Sequence, residues 1–321
     1  MEKEKRGVLI VSLDFELFWG VQDVRTFEKY GNNISGGREA IPRLLELFGE
    51  YGIHATWATV GFMFADGKED LKKYIPDVKP TYENAIRSTY NCIEALSNSE
   101  KTSSEYLAPS LIKLISETDG QEIGSHTFSH YYCLEKGQTA EQFEADMKAA
   151  LRIAEDKGYK LTSVVLPRNQ CSEEYIRILQ KLGFTSYRDE ENDWIHEKIK
   201  LVALKCVLSL ADVYLPLTGQ GGYVPRVENG IVNLTGSRMY KPYFKGLAFL
   251  EKLKVHRIKR QMLHAAERGL AFHFWWHPHN VGVMTDFHID QLREIFEYYD
   301  YLREKYGMRS LNMREYSEEI L

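Results

Sequence analysis

The chain holds 321 residues, 44% of them hydrophobic and 27% charged, which supplies a sizeable core and excludes a disordered or fibrous composition. Its formal charge of -5, with no basic tail, argues against nucleic acid or an anionic membrane as the main partner. The four cysteines are widely spaced without a C-x-x-C pair, so they read as reduced thiols rather than a disulfide frame or a cysteine-based zinc site.

From the N-terminus, a charged stretch, Met1 to Arg6, runs into Val8-Leu9-Ile10-Val11, which opens a fully buried strand, Val8–Asp14. With no apolar leader and no apolar span of about 18 residues, a cytoplasmic protein without a membrane span is expected. Gly37–Tyr51 sets Ile41, Leu44, Leu45 and Phe48 on one helix face. His54–Gly61 is a second strand, and Phe62–Leu107 is a long insertion with a helical pattern of its own.

Gln121–His126 reads as a strand, followed by a long helix, Thr139–Lys157, capped by Thr139 with Gln142 at its third position. A strand Leu161–Pro167, a helix Ser172–Leu182 and a short strand Thr185–Arg188 come next. Lys205–Lys241 bears Gly219, Gly221, Gly222, Pro225 and Gly236 and reads as a second insertion. The basic run Lys252, Lys254, Arg257, Lys259 and Arg260 lies in a helical pattern and reads as a solvated helix face. Leu270–Trp276 is a strand, Asp286–Tyr306 a helix, and Arg309–Met313 a last short strand before a terminal helical turn.

Strands apolar on both faces, each followed by a helix, imply a parallel sheet. The number of units favours one closed α/β barrel domain over an open doubly wound sheet, and no Gly-rich dinucleotide fingerprint follows the first strand. Loops as long as the two insertions are expected to wall a binding site.

The chemistry gathers at strand ends. Asp14 and Glu16 stand two apart where the first strand stops, so they share a face while Phe15 points away. Ser125-His126-Thr127-Phe128-Ser129-His130 leaves another strand with two imidazoles four apart, the spacing of neighbours on a helical turn. Two histidines and one carboxylate make a facial set with positions open for water and substrate, and zinc is the default ion for it. Arg168 in Leu166-Pro167-Arg168-Asn169-Gln170 could pair with a carboxylate and hold it ionised. In Phe272 to Asn280 the alternation puts His273, Trp275 and His277 on one face. His273 lies deeper, as a core histidine, and His277 at the strand end suits proton transfer.

In this order, from Val8 to about Met313, the set resembles the polysaccharide deacetylase family, the NodB-homology domain of carbohydrate esterases. The family's common first motif has adjacent aspartates; Asp14-Phe15-Glu16 resembles a branch with the acids one residue apart. The resemblance implies a distorted (β/α) barrel of about seven strands. It implies Asp14 as general base, Glu16, His126 and His130 as metal ligands, Arg168 orienting Asp14, and His277 as general acid. The longer arm of Glu16 leaves a swap of roles with Asp14 open. Asp193, followed by Trp194, stands where the family often places an aspartate that tunes the acid, and Asn169, Arg188 and Trp276 are expected substrate contacts.

The activity so implied is removal of an N-acetyl group from an amino sugar, assisted by one divalent metal ion. The substrate would be a cytoplasmic precursor of a surface polysaccharide, nucleotide- or lipid-linked. Two rivals remain at this level: an amidase of the same scaffold acting on a ureide such as allantoin, and a catalytically silent barrel that binds saccharide.

Overall fold

The computed structural model describes residues 6–190 and 194–321. Its strands are β1 (Val8–Phe15), β2 (Ala55–Thr59), β3 (Gln121–Ser125), β4 (Ser163–Val165), β5 (Ser186–Arg188), β6 (Arg226–Glu228), β7 (Ile231–Asn233), β8 (Arg238–Met239), β9 (Ala271–Trp276) and β10 (Arg309–Ser310). Among the described residues they form one sheet in the order β6-β7-β5-β4-β3-β2-β1-β9-β8, with β10 against β1. Pairing between these strands is parallel except in the β6–β7 hairpin.

Side-chain alternation along β1 explains the layering. Leu9, Val11, Leu13 and Phe15 face the helices in the main core, whereas Val8 and Ile10 join Ala58, Val165, Val232 and Leu234 inside the curl of the sheet. Ser12 and Asp14 continue that inner row and are buried. The interior therefore turns from apolar to polar on the way up β1.

One extended stretch joins the two sides of the curl. Leu234 and Gly236 donate their amides to Tyr187 of β5 and to Asp189 just after it, and Ser237 and Tyr240 donate to His273 and Trp275 of β9. The expected barrel-type α/β architecture is thus present, with a break near 234–237 where this stretch changes partners.

The first long helix begins at Phe27 rather than Gly37 and carries Pro42 within it. Its glycines blur the apolar period, yet they permit close packing. A Cβ on Gly36 would lie 1.9 Å from the Gly282 carbonyl oxygen, and one on Gly37 would lie 2.8 Å from the Cα of His279. Thr139 and Gln142 form the expected capping box on Ala140–Asp156. In the 62–107 insertion the only α-helix is the short Lys68–Lys72, alongside several 3₁₀ turns, since prolines and polar residues interrupt the helical pattern. The second insertion opens inside an apolar helix, Val202–Tyr214. In the basic run, Lys254 and Arg257 are buried in ion pairs with Glu251 and Asp212, so only part of it is a solvated face.

Candidate active site

β1 ends at Phe15, and the chain turns at once into the 3₁₀ turn Leu17–Gly20, carrying Glu16 over the end of the barrel. The Glu16 side chain lies across Gly20: a Cβ there would fall 1.9 Å from the carboxylate carbon. Glu16 Oε2 stands 3.2 Å from His126 Nε2 and 3.1 Å from His130 Nε2. One donor atom from each of the three residues lies within 4.8 Å of the others, and all three residues are buried.

The two histidines are not on a helical turn, as their spacing suggested. Thr127 and His130 adopt left-handed backbone angles, φ 64° and 55°, at a cost of roughly 1–2 kcal/mol each. Asp146 compensates from its helix. Its carboxylate accepts from the amides of Phe128 and Ser129 and from the Ser129 hydroxyl, and burial pushes its pKa up to about 6.

The donor set fits a cation. His126 Nδ1 is 2.8 Å from the Val165 carbonyl oxygen, which can only accept, so Nδ1 carries the hydrogen. In the neutral ring Nε2 is then a bare lone pair facing a carboxylate oxygen, an arrangement that calls for a positive charge between them. Burial raises the Glu16 pKa, but His277, His126 and His130 outweigh that and hold it well below the usual range. Burial lowers that of His130.

Asp14 is gripped by Arg188, not by Arg168. Arg188 Nη1 donates to Oδ1 and Nη2 to Oδ2, both at 2.7 Å, and both residues are buried. Nη1 also donates to Ser12 Oγ (2.8 Å), Nε donates to Asn169 Oδ1 (3.0 Å), and the guanidinium lies 4.1 Å from the Trp275 ring. Ser12 Oγ in turn meets His273 Nε2 at 2.8 Å, and His273 Nδ1 meets the Leu234 carbonyl. Burial raises the Asp14 pKa, but Arg188, with His277 and His126, holds it below the ordinary value. Burial, aided by Arg188, pushes His273 down to about 3, so it stays neutral as expected of a core histidine.

Three sequence expectations are corrected here. Arg168 pairs at the rim with Asp23 (2.8 Å) and Glu135 (2.9 Å) and stacks over Tyr132. Arg188, expected to touch substrate, is fully buried and engaged with Asp14, Ser12 and Asn169, whose Oδ1 accepts from its Nε. Trp276 is fully buried in the core against Phe48, Tyr240 and Phe274, because it faces the helices. Trp275 takes the inward place, as the alternation through His273 and His277 already required.

His277 Nε2 lies 3.6 Å from Asp14 Oδ2 and 3.5 Å from Glu16 Oε1, so one imidazole faces both acids. Its side chain is 19% exposed while the two acids are 5% exposed, which sets the mouth of the site on its side. His279, to which sequence reasoning assigned nothing, stacks on His277 and reaches to 3.9 Å from Glu16 Oε1. Burial pushes it down to about 3. Its signal was the His277-Pro278-His279 triplet. Asp193 lies outside the described residues.

A family model described as polysaccharide deacetylase matches residues 26–187, just over half of the chain. The span contains His126, His130 and Arg168 but not Asp14, Glu16 or His277. No curated protein matches the sequence. Among solved structures, a protein of Mycobacterium smegmatis assigned as a polysaccharide deacetylase superposes with TM-score 0.63 at 14% identity, covering 100% of this chain and 92% of that one. One from Pseudomonas aeruginosa PAO1 with the same assignment gives 0.56 at 13%, covering 97% and 89%. An allantoinase, Puue, gives 0.56 at 12%, covering 98% and 90%. At these identities the likeness speaks for the fold alone.

Proposed function

The chain belongs to the polysaccharide deacetylase family, and on that premise we propose that it hydrolyses the N-acetyl group of an amino sugar with the help of one bound divalent cation. The observation that carries the reading is the convergence of Glu16, His126 and His130 beside Asp14 and His277 at one end of the barrel. Glu16, His126 and His130 would hold the ion, with zinc first by donor chemistry. When bound it polarises the amide carbonyl and acidifies a water.

The remaining work falls to the chain's own groups. Asp14, kept ionised by Arg188, accepts the proton of the attacking water. Arg188 fixes the carboxylate plane with both Nη groups while its Nε is held by Asn169, so the base waits in one orientation. His277, open to the mouth, delivers a proton to the departing amine, which cannot leave as an anion. Trp275 forms an apolar wall for the sugar ring. The whole chain would act as one catalytic domain on a cytoplasmic precursor of a surface polysaccharide, nucleotide- or lipid-linked.

The test is metal analysis joined to an acetate-release screen over acetamido sugars, free, nucleotide-linked and lipid-linked. Stoichiometric metal and acetate release, with Asp14→Asn retaining metal but losing turnover, support the reading. Turnover of allantoin without acetate release would transfer the site to ureide chemistry. A protein unaffected by chelation would sink the enzymatic reading.

A further inference from the structure

Helix Val202–Tyr214 buries little of itself. Leu201, Val202, Leu204, Val207 and Leu210 are exposed, Val202 by 73% and Val207 by 63%, a concentration of apolar surface that marks an interaction face. Its C-terminal end is pinned to the body: Asp212 is buried between Arg238 (2.9 Å) and Arg257 (2.7 Å), and Arg257 also donates to the Leu215 carbonyl. The neighbouring segment that leads into helix Glu251–Arg268 adds exposed Phe244, Phe249 and Leu253, Phe249 by 77%.

The charges of these two segments are sorted. Within 198–217 and 241–260 the only acids are Asp212 and Glu251, both buried in ion pairs. Lys198, Lys200, Lys245, Lys252 and Arg260 are exposed. So the accessible charge that these two segments themselves carry is positive, although Lys259 meets Glu294 of the last long helix and the chain as a whole carries -5. Both segments follow the C-terminal ends of strands, β5 and β8, the end that bears Asp14, Glu16 and His277.

We infer that this face docks on an anionic lipid bilayer, with helix Val202–Tyr214 lying in the interface and the mouth of the site turned toward the membrane. A helix of 13 residues is about 20 Å long, short of the hydrocarbon thickness of about 30 Å. No described helix is long and apolar enough to cross a membrane. Apolar side chains ringed by lysines with exposed aromatics are the makings of an interfacial element. Charge complementarity selects the bilayer over a second copy of this chain, since two copies would oppose one basic rim to another, whereas acidic headgroups neutralise it. The inference stands apart from the chemistry of the site.

Flotation of the full-length protein with phosphatidylcholine vesicles, with and without about 30% phosphatidylglycerol, tests it without any substrate. Binding is expected to rise about tenfold or more with the anionic lipid and to fall with salt. The double variant Val202→Glu/Val207→Glu should abolish it, and Lys198→Glu/Lys200→Glu should reduce it to the neutral-lipid level, with thermal melts unchanged in both. Wild-type protein that floats with neither vesicle, or a Val202→Glu/Val207→Glu variant that floats like wild type, overturns the inference. So does a dimer in sedimentation velocity that Val202→Glu/Val207→Glu dissolves while vesicles capture nothing, which would assign the face to a second copy.

Discussion

Arg188 and Asp14 face each other across the barrel interior, from β5 and β1, through two parallel hydrogen bonds of 2.7 Å. Removing one partner of such a buried pair strands the other charge, so Arg188→Ala should cost about 3–5 kcal/mol of stability as well as activity. Arg188→Lys keeps the charge but loses the fork and should fold better than it turns over. Arg168→Ala should cost only about 1 kcal/mol, because Asp23 retains Arg87 and Tyr132. Equal damage from Arg168→Ala and Arg188→Ala in melts and kcat would contradict this division.

Gly20 has no room for a side chain under the Glu16 carboxylate. Gly20→Ala should displace that carboxylate and weaken divalent-metal binding by about 10–100-fold, with far-ultraviolet dichroism unchanged. Titration calorimetry with zinc measures it; undiminished affinity would show that Glu16 is not held there for a metal.

Asp146 anchors the loop that presents His126 and His130. In Asp146→Ala the amides of Phe128 and Ser129 lose their acceptor inside the protein, at about 1–3 kcal/mol for each stranded donor. Denaturant unfolding should register this loss, and metal affinity should fall with it. A variant that loses stability but binds metal as before would separate the anchor from the site.

Trp275 and Trp276 are adjacent but belong to opposite faces of β9. Trp276→Ala empties a fully buried place and should cost about 3–5 kcal/mol. Trp275→Ala should spare stability by comparison and reduce kcat/KM by something on the order of tenfold, through the ring that supports Arg188. The contrast is read from paired melts and kinetics, and the reverse pattern would refute it.

Away from the site, His54 Nδ1 contacts both carboxylate oxygens of Glu315 at 2.8 and 2.9 Å. The Glu315 hydrogen bond raises the His54 pKa above 6.5, so that share of stability is present below 6.5 and is lost as pH rises through the raised value. Burial pushes Glu315 up, but His54 and the Asn312 amide outweigh it and hold it below 4.5; that share is present above 4.5 and lost as pH falls through the lowered value. The melting difference between wild type and His54→Asn should therefore peak between 4.5 and 6.5. A difference as large at about pH 9 as inside that window would exclude an electrostatic share.

Local patterning was enough to place much of the site. The two-residue period of β1 and β9 sends Asp14, Trp275 and His277 inward, and the apolar runs before them mark where strands end. The same period excludes Trp276, which the resemblance to a family had drawn into the substrate wall. Arg188 was legible only as a residue at a strand end, because its partner lies 174 positions away and the pairing depends on the curl that brings β5 opposite β1. Asp146 sits inside an ordinary amphipathic helix, and no local pattern tells that its carboxylate holds a loop. The rim pairing of Arg168 follows from its left-handed backbone, φ 58°, which the preceding proline and strand did not foretell.

The stretch that bonds first to β5 and then to β9 is a seam, and it is also part of the scaffold behind Asp14. Leu234 lends its carbonyl to His273 Nδ1 and Ser237 its hydroxyl to the His273 amide, so the histidine behind Ser12 and Arg188 is fastened to the seam itself. Any fluctuation that unzips residues 234–237 also loosens the far end of the chain of bonds that orients Asp14. Hydrogen exchange at the amides of Leu234, Gly236 and Ser237 is then a gauge of how firmly Asp14 is held as much as of local stability.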